Sequence, residues 1–283
     1  MSGMRSTAGN AELALLLEVA STPKPGNVDR HREYPDLRFE HFLAGAVGAR
    51  EGLAAATDAS VGLGEAFRRA VEGMADQRGG NTQFGAVLLL VPLVRAAATD
   101  ECSPAAATRM VEETTVEDAA NFYRAFEYVD VAVRDPPEGM EPLDVRRGAD
   151  AVEHLRDRSI TLAEVMELAA GRDGVAAEWT GGFERTFRAG TVIADGEGPV
   201  PDRAAETYLW LLSREPDTFV ATNHGQRVAH SVMVRAQEAR EGGPDLVEAF
   251  AESLVEDGIN PGTTADVTAG GLFVALERDG IDV

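Results

Sequence analysis

The fold is decided by one apolar stretch, NTQFGAVLLLVPLVRAAA, which covers residues 81–98. Its apolar residues do not keep to one face of a helix, so a helix here would be apolar on all sides. Such a helix in a soluble chain must be surrounded by the rest of the protein. Pro92 should kink it, because proline cannot donate a backbone hydrogen bond. The stretch therefore predicts a kinked central helix.

Apolar residues recur at helical spacing through most of the remaining chain. Further helices are predicted over residues 11–21, 39–56, 115–128, 161–170, 175–189, 203–213, 226–241, 244–256 and 263–279. Asn10 is the expected N-cap of the first of these helices. Thr115 with Asp118, and Thr161 with Glu164, match the sequence pattern of a capping box. No long stretch alternates polar and apolar residues as a strand does, so the chain is predicted to be all-α.

A proline- and glycine-rich break, DPPEGMEPL, covers residues 135–143 and divides the chain near its middle. At 283 residues the chain can still form one core. We expect a single all-α domain over residues 1–283, a compact multi-helix bundle around the central apolar helix. Two closely packed halves, split near the break, are the alternative.

The charge composition restricts the partners. The formal net charge is −22, and Lys24 is the only lysine among 26 strong bases. This composition is typical of a halophilic protein from a cell with molar internal salt, where the Debye length falls to about 3 Å. Nucleic acid and anionic membranes would be repelled, so neither is an expected partner. The oligomeric state is left open.

Two absences bear on the compartment. Cys102 is the single cysteine, so neither an intrachain disulfide nor a cysteine-based metal site can form. No apolar run is long enough to cross a bilayer, and the chain does not open with a signal peptide. We expect a cytoplasmic protein.

The loop TPKPGNVDR follows the first predicted helix at residues 22–30. Its prolines stiffen the backbone, and Gly26 permits a tight turn or the close approach of a ligand. Lys24 is then a positive charge held at low entropic cost, which suits a phosphate group. Asn27, Asp29 and Arg30 add further donors and acceptors. The alternative is an ordinary turn that ends a helix.

The segment GGNTQFG, residues 79–85, opens the central helix. Backbone amides and the helix dipole at such an N-terminus attract anions. Asn81 and Thr82 are candidate contacts to an anionic ligand, although plain capping residues would look the same in the sequence.

The segment INPGTTADVTAGG, residues 259–271, opens the last predicted helix, whose N-terminus should attract anions in the same way. Thr263 and Asp266 match a capping box. Gly270 and Gly271 leave one face bare, at a cost of about 1 kcal/mol each that close packing or a ligand should offset. Asp266, on that side, is a candidate functional carboxylate.

Each of four other polar residues allows two interpretations. Asp36 is either a functional carboxylate or the N-cap of the second helix. Glu18 and Asp118 lie among apolar residues, so each points outward or is buried with a partner. His224 is either a proton carrier or part of a loop before a helix.

In their order along the chain, TPKPGNVDR, GGNTQFG, PDT and INPGTTADV resemble blocks of the triphosphoribosyl-dephospho-CoA synthase family, and the resemblance extends over residues 18–276. It implies an all-α transferase that moves the 5-triphosphoribosyl group of ATP to dephospho-CoA and releases adenine. The product is a precursor of the prosthetic group of citrate or malonate lyases or decarboxylases. ATP and a nucleotide or coenzyme acceptor are the implied partners, with Mg²⁺ as the implied cofactor.

Carried over to this chain, the resemblance implies roles for individual residues. The implied substrate contacts are Lys24, Pro25, Gly26, Asn27, Arg30, Asn81, Thr82, Asn260 and Gly262. Displacement at C1 of the ribose passes through an oxocarbenium-like transition state and needs a base for the acceptor hydroxyl. Asp29 or Asp36 is the first choice for this base or for a metal ligand, and Asp266 is the second.

The chain also departs from the family. Family members commonly carry His-Lys after the Asn-Thr pair, whereas Gln83 and Phe84 follow it here. An Arg-Lys pair commonly precedes the later glycine, where this chain has Asn223 and His224. The acceptor therefore stays open. A kinase or nucleotide hydrolase using the same pocket, and a non-catalytic nucleotide-binding protein, remain alternatives.

Overall fold

The computed structural model describes residues 5–136, 138–278 and 280–283, and within these ranges no β-strand occurs. The α-helices are α1 (Thr7–Ala20), α2 (Phe39–Ala56), α3 (Leu63–Met74), α4 (Phe84–Thr99), α5 (Pro104–Glu112), α6 (Val116–Ala125), α7 (Val152–Asp157), α8 (Leu162–Ala169), α9 (Gly174–Thr180), α10 (Glu184–Asp195), α11 (Val200–Leu212), α12 (Thr218–His224), α13 (Gln226–Gly242), α14 (Pro244–Glu256) and α15 (Gly262–Glu277). Short 3-10 helices cover Glu141–Leu143 and Val145–Ala151. The all-α prediction is confirmed.

Helix α4 lies at the centre of the bundle. Every residue from Ala86 to Ala96 is buried, which confirms the central helix expected from the apolar stretch. Pro92 leaves the carbonyl of Leu88 without its helical donor. The indole nitrogen of Trp179 on α9 donates to this carbonyl at 3.2 Å. The helix therefore continues through Pro92 with its backbone acceptor satisfied.

Helix α15 packs beside α4 and is buried almost as completely. From Thr263 to Leu276 every residue is buried except Asp266. The bare face at Gly270 and Gly271 meets α10, where a Cβ added to Gly271 would lie 2.7 Å from the Cβ of Ala189. These glycines therefore serve close packing of two helices rather than a ligand.

Two of the predicted capping boxes form. Thr115 with Asp118, and Thr161 with Glu164, exchange side-chain to backbone hydrogen bonds at the starts of α6 and α8. Asp118 is buried and also accepts from the backbone amide of Gly64 at 2.8 Å. The partnered interpretation of this carboxylate is therefore correct.

The third capping box, between Thr263 and Asp266, is wrong. No side chain within α15 caps that helix. Instead the carboxylate of Asp217 accepts from the backbone amide of Thr264 at 2.8 Å, while its other oxygen caps α12 through Phe219 at 2.9 Å. Asp217 thus serves both N-termini, while Asp266 accepts a hydrogen bond from the backbone amide of Ala86 in the first turn of α4.

Other boundaries also differ from the prediction. Ser6, not Asn10, is the N-cap of α1. The helix predicted over residues 175–189 is interrupted at Gly181 to Phe183, where Phe183 has a φ of +59°. Helices α3, α5, α7 and α12 are absent from the prediction, although α3 has a clear apolar stripe at helical spacing that includes Leu63, Phe67 and Met74.

No helix in the described ranges is long and apolar enough to span a membrane. The largest hydrophobic cluster includes residues from both sides of the 135–143 break, such as Leu89 and Phe273. The single-domain organisation stays a prediction. Pro137, within the break, and Asp279, at the end of the last predicted helix, lie outside the described residues.

Candidate active site

A cavity of about 310 Å³ lies where α4 and α15 begin, next to the irregular segment after α6. Its polar lining includes Glu18, Asn27, Asn81, Thr82, Gln83, Arg134, Asp144, Arg172, Asp173, Asn260, Thr263 and Asp266. Its apolar lining includes Phe42, Phe84, Phe122, Phe126, Val131, Met140, Val165 and Met166. The size and the mixed lining are those of a small-molecule site. The two glycine-marked segments singled out in the sequence meet here.

The N-termini of two long helices point at this cavity. Gly85 of α4, and Gly262 and Thr263 of α15, line it, and each helix has 16 residues. Asn81 accepts from the backbone amide of Phe84 at 3.2 Å. The hydroxyl of Thr82 has no hydrogen-bond partner within the described part of the chain. Helix N-termini carry partial positive charge, so the arrangement favours an anionic ligand.

Asp266 lies on the first turn of α15 and faces the first turn of α4. Its carboxylate occupies the space beside Gly85, where an added Cβ would lie 2.1 Å from the carboxylate oxygen. Burial raises the pKa of Asp266 well above its ordinary value, and the negative charges of Glu18, Asp217 and Asp173 raise it further. No basic side chain opposes this shift among the described residues, but the backbone amide of Ala86 on α4 does so by donating to the carboxylate.

Glu18 is the second carboxylate at this end of the cavity, and Lys24 is its partner. The ammonium group of Lys24 is fully buried and forms an ion pair with Glu18. It also donates to Asn27 at 3.2 Å, and Asn27 donates to Asn260 at 2.9 Å. Burial raises the pKa of Glu18 although Lys24 opposes the shift. Lys24 does not line the cavity, because its charge is directed at Glu18.

Asp29 is buried outside the cavity and is surrounded by donors. Its oxygens accept from the hydroxyl of Thr22 at 2.9 Å and from the backbone amides of Lys24, His31 and Arg32 at 3.2, 2.8 and 2.9 Å. The guanidinium of Arg32 adds a contact at 3.2 Å. These bonds fix the shape of the loop.

The rest of the loop TPKPGNVDR is also held by structural contacts. The carbonyl of Pro25 accepts from the hydroxyl of Tyr208 at 2.8 Å, and that of Gly26 accepts from Tyr34 at 2.7 Å. Gly26 has a φ of +75°, and a Cβ there would lie 2.2 Å from the carbonyl oxygen of Ile259. Only glycine fits this crossing, which ties the loop to the segment before α15.

Arg30 and Asp36 are exposed and do not line the cavity. Asp36 is not an N-cap either, since α2 begins after Arg38, whose backbone amide donates to His41 at 3.1 Å. His224 ends α12 and is exposed. The structure therefore separates these residues from Asp266 and the two helix N-termini.

The cavity also contains residues that sequence reasoning missed. Arg134 and Arg172 line it from irregular segments, where no periodicity draws attention to them, and Asp173 is the N-cap of α9, a signal that the sequence did contain. The aromatic wall was missed as well: the ring of Phe126 lies 5.0 Å from that of Phe84 and 5.3 Å from that of Phe122. Their signal in sequence is only that of core residues.

Helix N-termini that favour anions and carboxylates in different environments meet at this cavity, an arrangement typical of enzymes that act on small anionic substrates. The family model for ATP:dephospho-CoA triphosphoribosyl transferase matches residues 4–282. The chain belongs to this family, and it is an enzyme that transfers the triphosphoribosyl group of ATP to dephospho-CoA. The resemblance seen in the sequence blocks is confirmed.

A solved structure agrees with this assignment. It is a crystal structure of an Archaeoglobus fulgidus protein with a provisional assignment as a triphosphoribosyl-dephospho-CoA synthase. The two chains are 27% identical and superpose with a TM-score of 0.69, over 83% of this chain and 98% of the other. Comparison with the curated proteins gives no match.

Proposed function

We propose that the transfer takes place in the cavity at the N-termini of α4 and α15, with Asp266 as the catalytic acid. The observation that carries this proposal is the environment of Asp266. It is a carboxyl group with a raised pKa that faces a cavity and has no basic partner among the described residues. Perturbed carboxyl groups of this kind are typical of catalytic acids.

The reaction breaks the bond between C1 of the ATP ribose and adenine, and forms a bond from C1 to the acceptor oxygen. Adenine must gain a proton as it leaves, and the acceptor hydroxyl must lose one. Asp266, whose carboxyl group favours the protonated form, donates to adenine. Glu18, kept closer to the ionised form by Lys24, accepts the hydroxyl proton. Two carboxyl groups with different environments thus divide the acid and base roles.

The triphosphate of ATP lies at the N-termini of α4 and α15 in this proposal, where backbone amides face the cavity. The donor set also fits Mg²⁺. No group of three His, Cys, Asp or Glu side chains in the described ranges could hold a metal ion by itself. Mg²⁺ that arrives with a nucleotide needs only one or two carboxylates, with phosphate and water oxygens as its other ligands. Asp173, which lines the cavity, would hold such an ion, and the ion would supply charge neutralisation.

The aromatic wall gives the adenine ring and the pantetheine arm an apolar surface, since both substrates carry such groups. The product is then a precursor of the prosthetic group of citrate or malonate lyases or decarboxylases. Both substrates are cytoplasmic metabolites, so we assign the enzyme to the cytoplasm. Its charge of −22 and single lysine suit a molar-salt interior.

The test is incubation with ATP, Mg²⁺ and dephospho-CoA in molar KCl, followed by chromatography for free adenine and mass spectrometry of the acceptor. We expect adenine and triphosphoribosyl-dephospho-CoA in equal amounts from the natural chain, and neither from Asp266→Asn. Asp36→Asn, an exposed carboxylate outside the cavity, is the matched control. Release of ADP or phosphate would favour the kinase or hydrolase alternative. ATP binding without any turnover would favour the non-catalytic one.

A further inference from the structure

The positive charge of the cavity lies at its exposed edge. Arg134 and Arg172 are the basic side chains among its described lining residues. Arg134 lies in the irregular segment after α6, and Arg172 lies in the turn between α8 and α9. The end at the start of α4 offers no basic side chain: Gln83 and Phe84 line it together with the carboxylates of Glu18 and Asp266. Any side-chain cation for a phosphate group must therefore come from this edge.

A hydrogen bond to another part of the fold holds each of the two arginine side chains. A terminal nitrogen of Arg172 donates to the backbone carbonyl of Asp135 at 3.0 Å, and Asp135 directly follows Arg134 in the chain. The Nε of Arg134 donates to the hydroxyl of Thr222 on α12 at 3.3 Å. Each contact uses one donor of a group that has five. Each guanidinium is thus oriented while most of its donors stay available.

Neither arginine forms an ion pair with a described carboxylate, and in this they differ from a neighbouring arginine. Arg146, close in space, is bound to both Asp135 and Asp144. In a chain with a net charge of −22, arginines without acidic partners at a cavity edge are notable.

We propose that Arg134 and Arg172 form a clamp that binds the polyphosphate of a nucleotide substrate. A planar guanidinium binds phosphate oxygens through two parallel hydrogen bonds, and two such groups match a chain of phosphates. Two sources of this chemistry exist, the triphosphate of ATP and the diphosphate of dephospho-CoA. The assignment of these two substrates rests on the proposed function, whereas the clamp itself does not.

The experiment compares Arg134→Gln and Arg172→Gln with Arg240→Gln, an exposed arginine on α13 far from the cavity lining. Binding of inorganic triphosphate to the full chain is measured by calorimetry. We expect each cavity variant to lose about tenfold in affinity, as for a charge-assisted hydrogen bond, with Arg240→Gln unchanged. Equal affinity of all four proteins, or no binding by any, would overturn the clamp. This readout needs no turnover, so it stays valid if the adenine assay fails.

Steady-state kinetics then identify the substrate. A KM increase of about tenfold for ATP alone assigns the clamp to the triphosphate, and the same increase for dephospho-CoA alone assigns it to the diphosphate. In either case kcat should change little, because the contacts are formed before and during the reaction alike. A fall in kcat with both KM values unchanged would contradict the proposal. Arg172→Lys should restore binding only in part, since lysine cannot form the paired bonds.

Discussion

Two aspartates of this chain lie in opposite environments. Asp29, in the loop after α1, accepts hydrogen bonds from backbone amides, a hydroxyl and a guanidinium. Asp266, on α15, faces a cavity, and its pKa is raised by burial and by neighbouring negative charges. Burying a carboxylate without such partners is costly. Burial alone therefore does not mark a functional carboxylate. The lack of a basic side-chain partner does.

The same contrast applies to the charged groups beside them. Lys24, conspicuous as the only lysine, is committed to Glu18 and Asn27. Arg134 and Arg172, inconspicuous in the sequence, have donors available at the cavity edge. The charged groups of the loop thus contact other parts of the fold, whereas the two cavity arginines keep donors available for a ligand.

The largest effect is expected from Asp266→Asn, which keeps the shape of the side chain but removes the acid. Loss of a general acid lowers kcat by about 10² to 10⁴. KM values should change much less. Adenine release measured by chromatography, with circular dichroism as the check on folding, tests this. A kcat within twofold of the natural chain would assign the acid elsewhere, and Glu18 would be the next candidate.

Lys24→Met tests whether the loop lysine acts on Glu18 rather than on the substrate. Removing one partner of a buried ion pair costs about 3 to 5 kcal/mol, because the remaining charge stays buried. The free energy of unfolding in urea should fall by this amount near neutral pH and by less in acid, where Glu18 takes up a proton. The double variant Glu18→Gln, Lys24→Met should recover part of the loss. If stability is unchanged while ATP affinity falls, the lysine acts on the substrate instead.

The pH dependence of stability should report the environment of Asp266. A raised folded-state pKa means that the folded chain holds a proton that the unfolded chain has lost. Asp266 therefore lowers stability as the pH rises from its unfolded value, about 4, through its folded value. Asp266→Asn should be more stable than the natural chain at neutral pH, by about 1.4 kcal/mol per unit between the two values. Urea unfolding of both chains across this range measures the difference, which should vanish in acid.

Much of the fold follows from local sequence, and the reason is physical. The apolar stretch of α4 has only one stable placement, and the capping boxes of α6 and α8 need partners three residues apart. The predicted cap of α15 is wrong because the actual cap, Asp217, is 47 residues away from Thr264. Periodicity and local pairs carry no information about such a contact.

The candidate site is predictable to a smaller degree. Asn81, Asn260 and Asp266 come from blocks that the sequence marks, and all of them line the cavity. The sequence does not predict whether the Lys24 side chain is exposed or buried, because the same proline-rich loop could present its lysine either way. The cavity arginines belong to irregular segments, and only the tertiary fold brings them to the site.

The smallest effect is expected from Arg30→Gln, which completes the comparison between loop and cavity. Arg30 belongs to the most distinctive sequence block, yet it is exposed and does not line the cavity. Surface substitutions of this kind change stability by about 0.5 kcal/mol or less. The KM for ATP should also stay within about twofold, since an exposed charge in molar salt acts over only about 3 Å. Kinetics in parallel with Arg172→Gln give the contrast its control. If Arg30→Gln weakens ATP binding as much as Arg172→Gln does, the loop contributes to the substrate site directly, and the division between support and site must be redrawn.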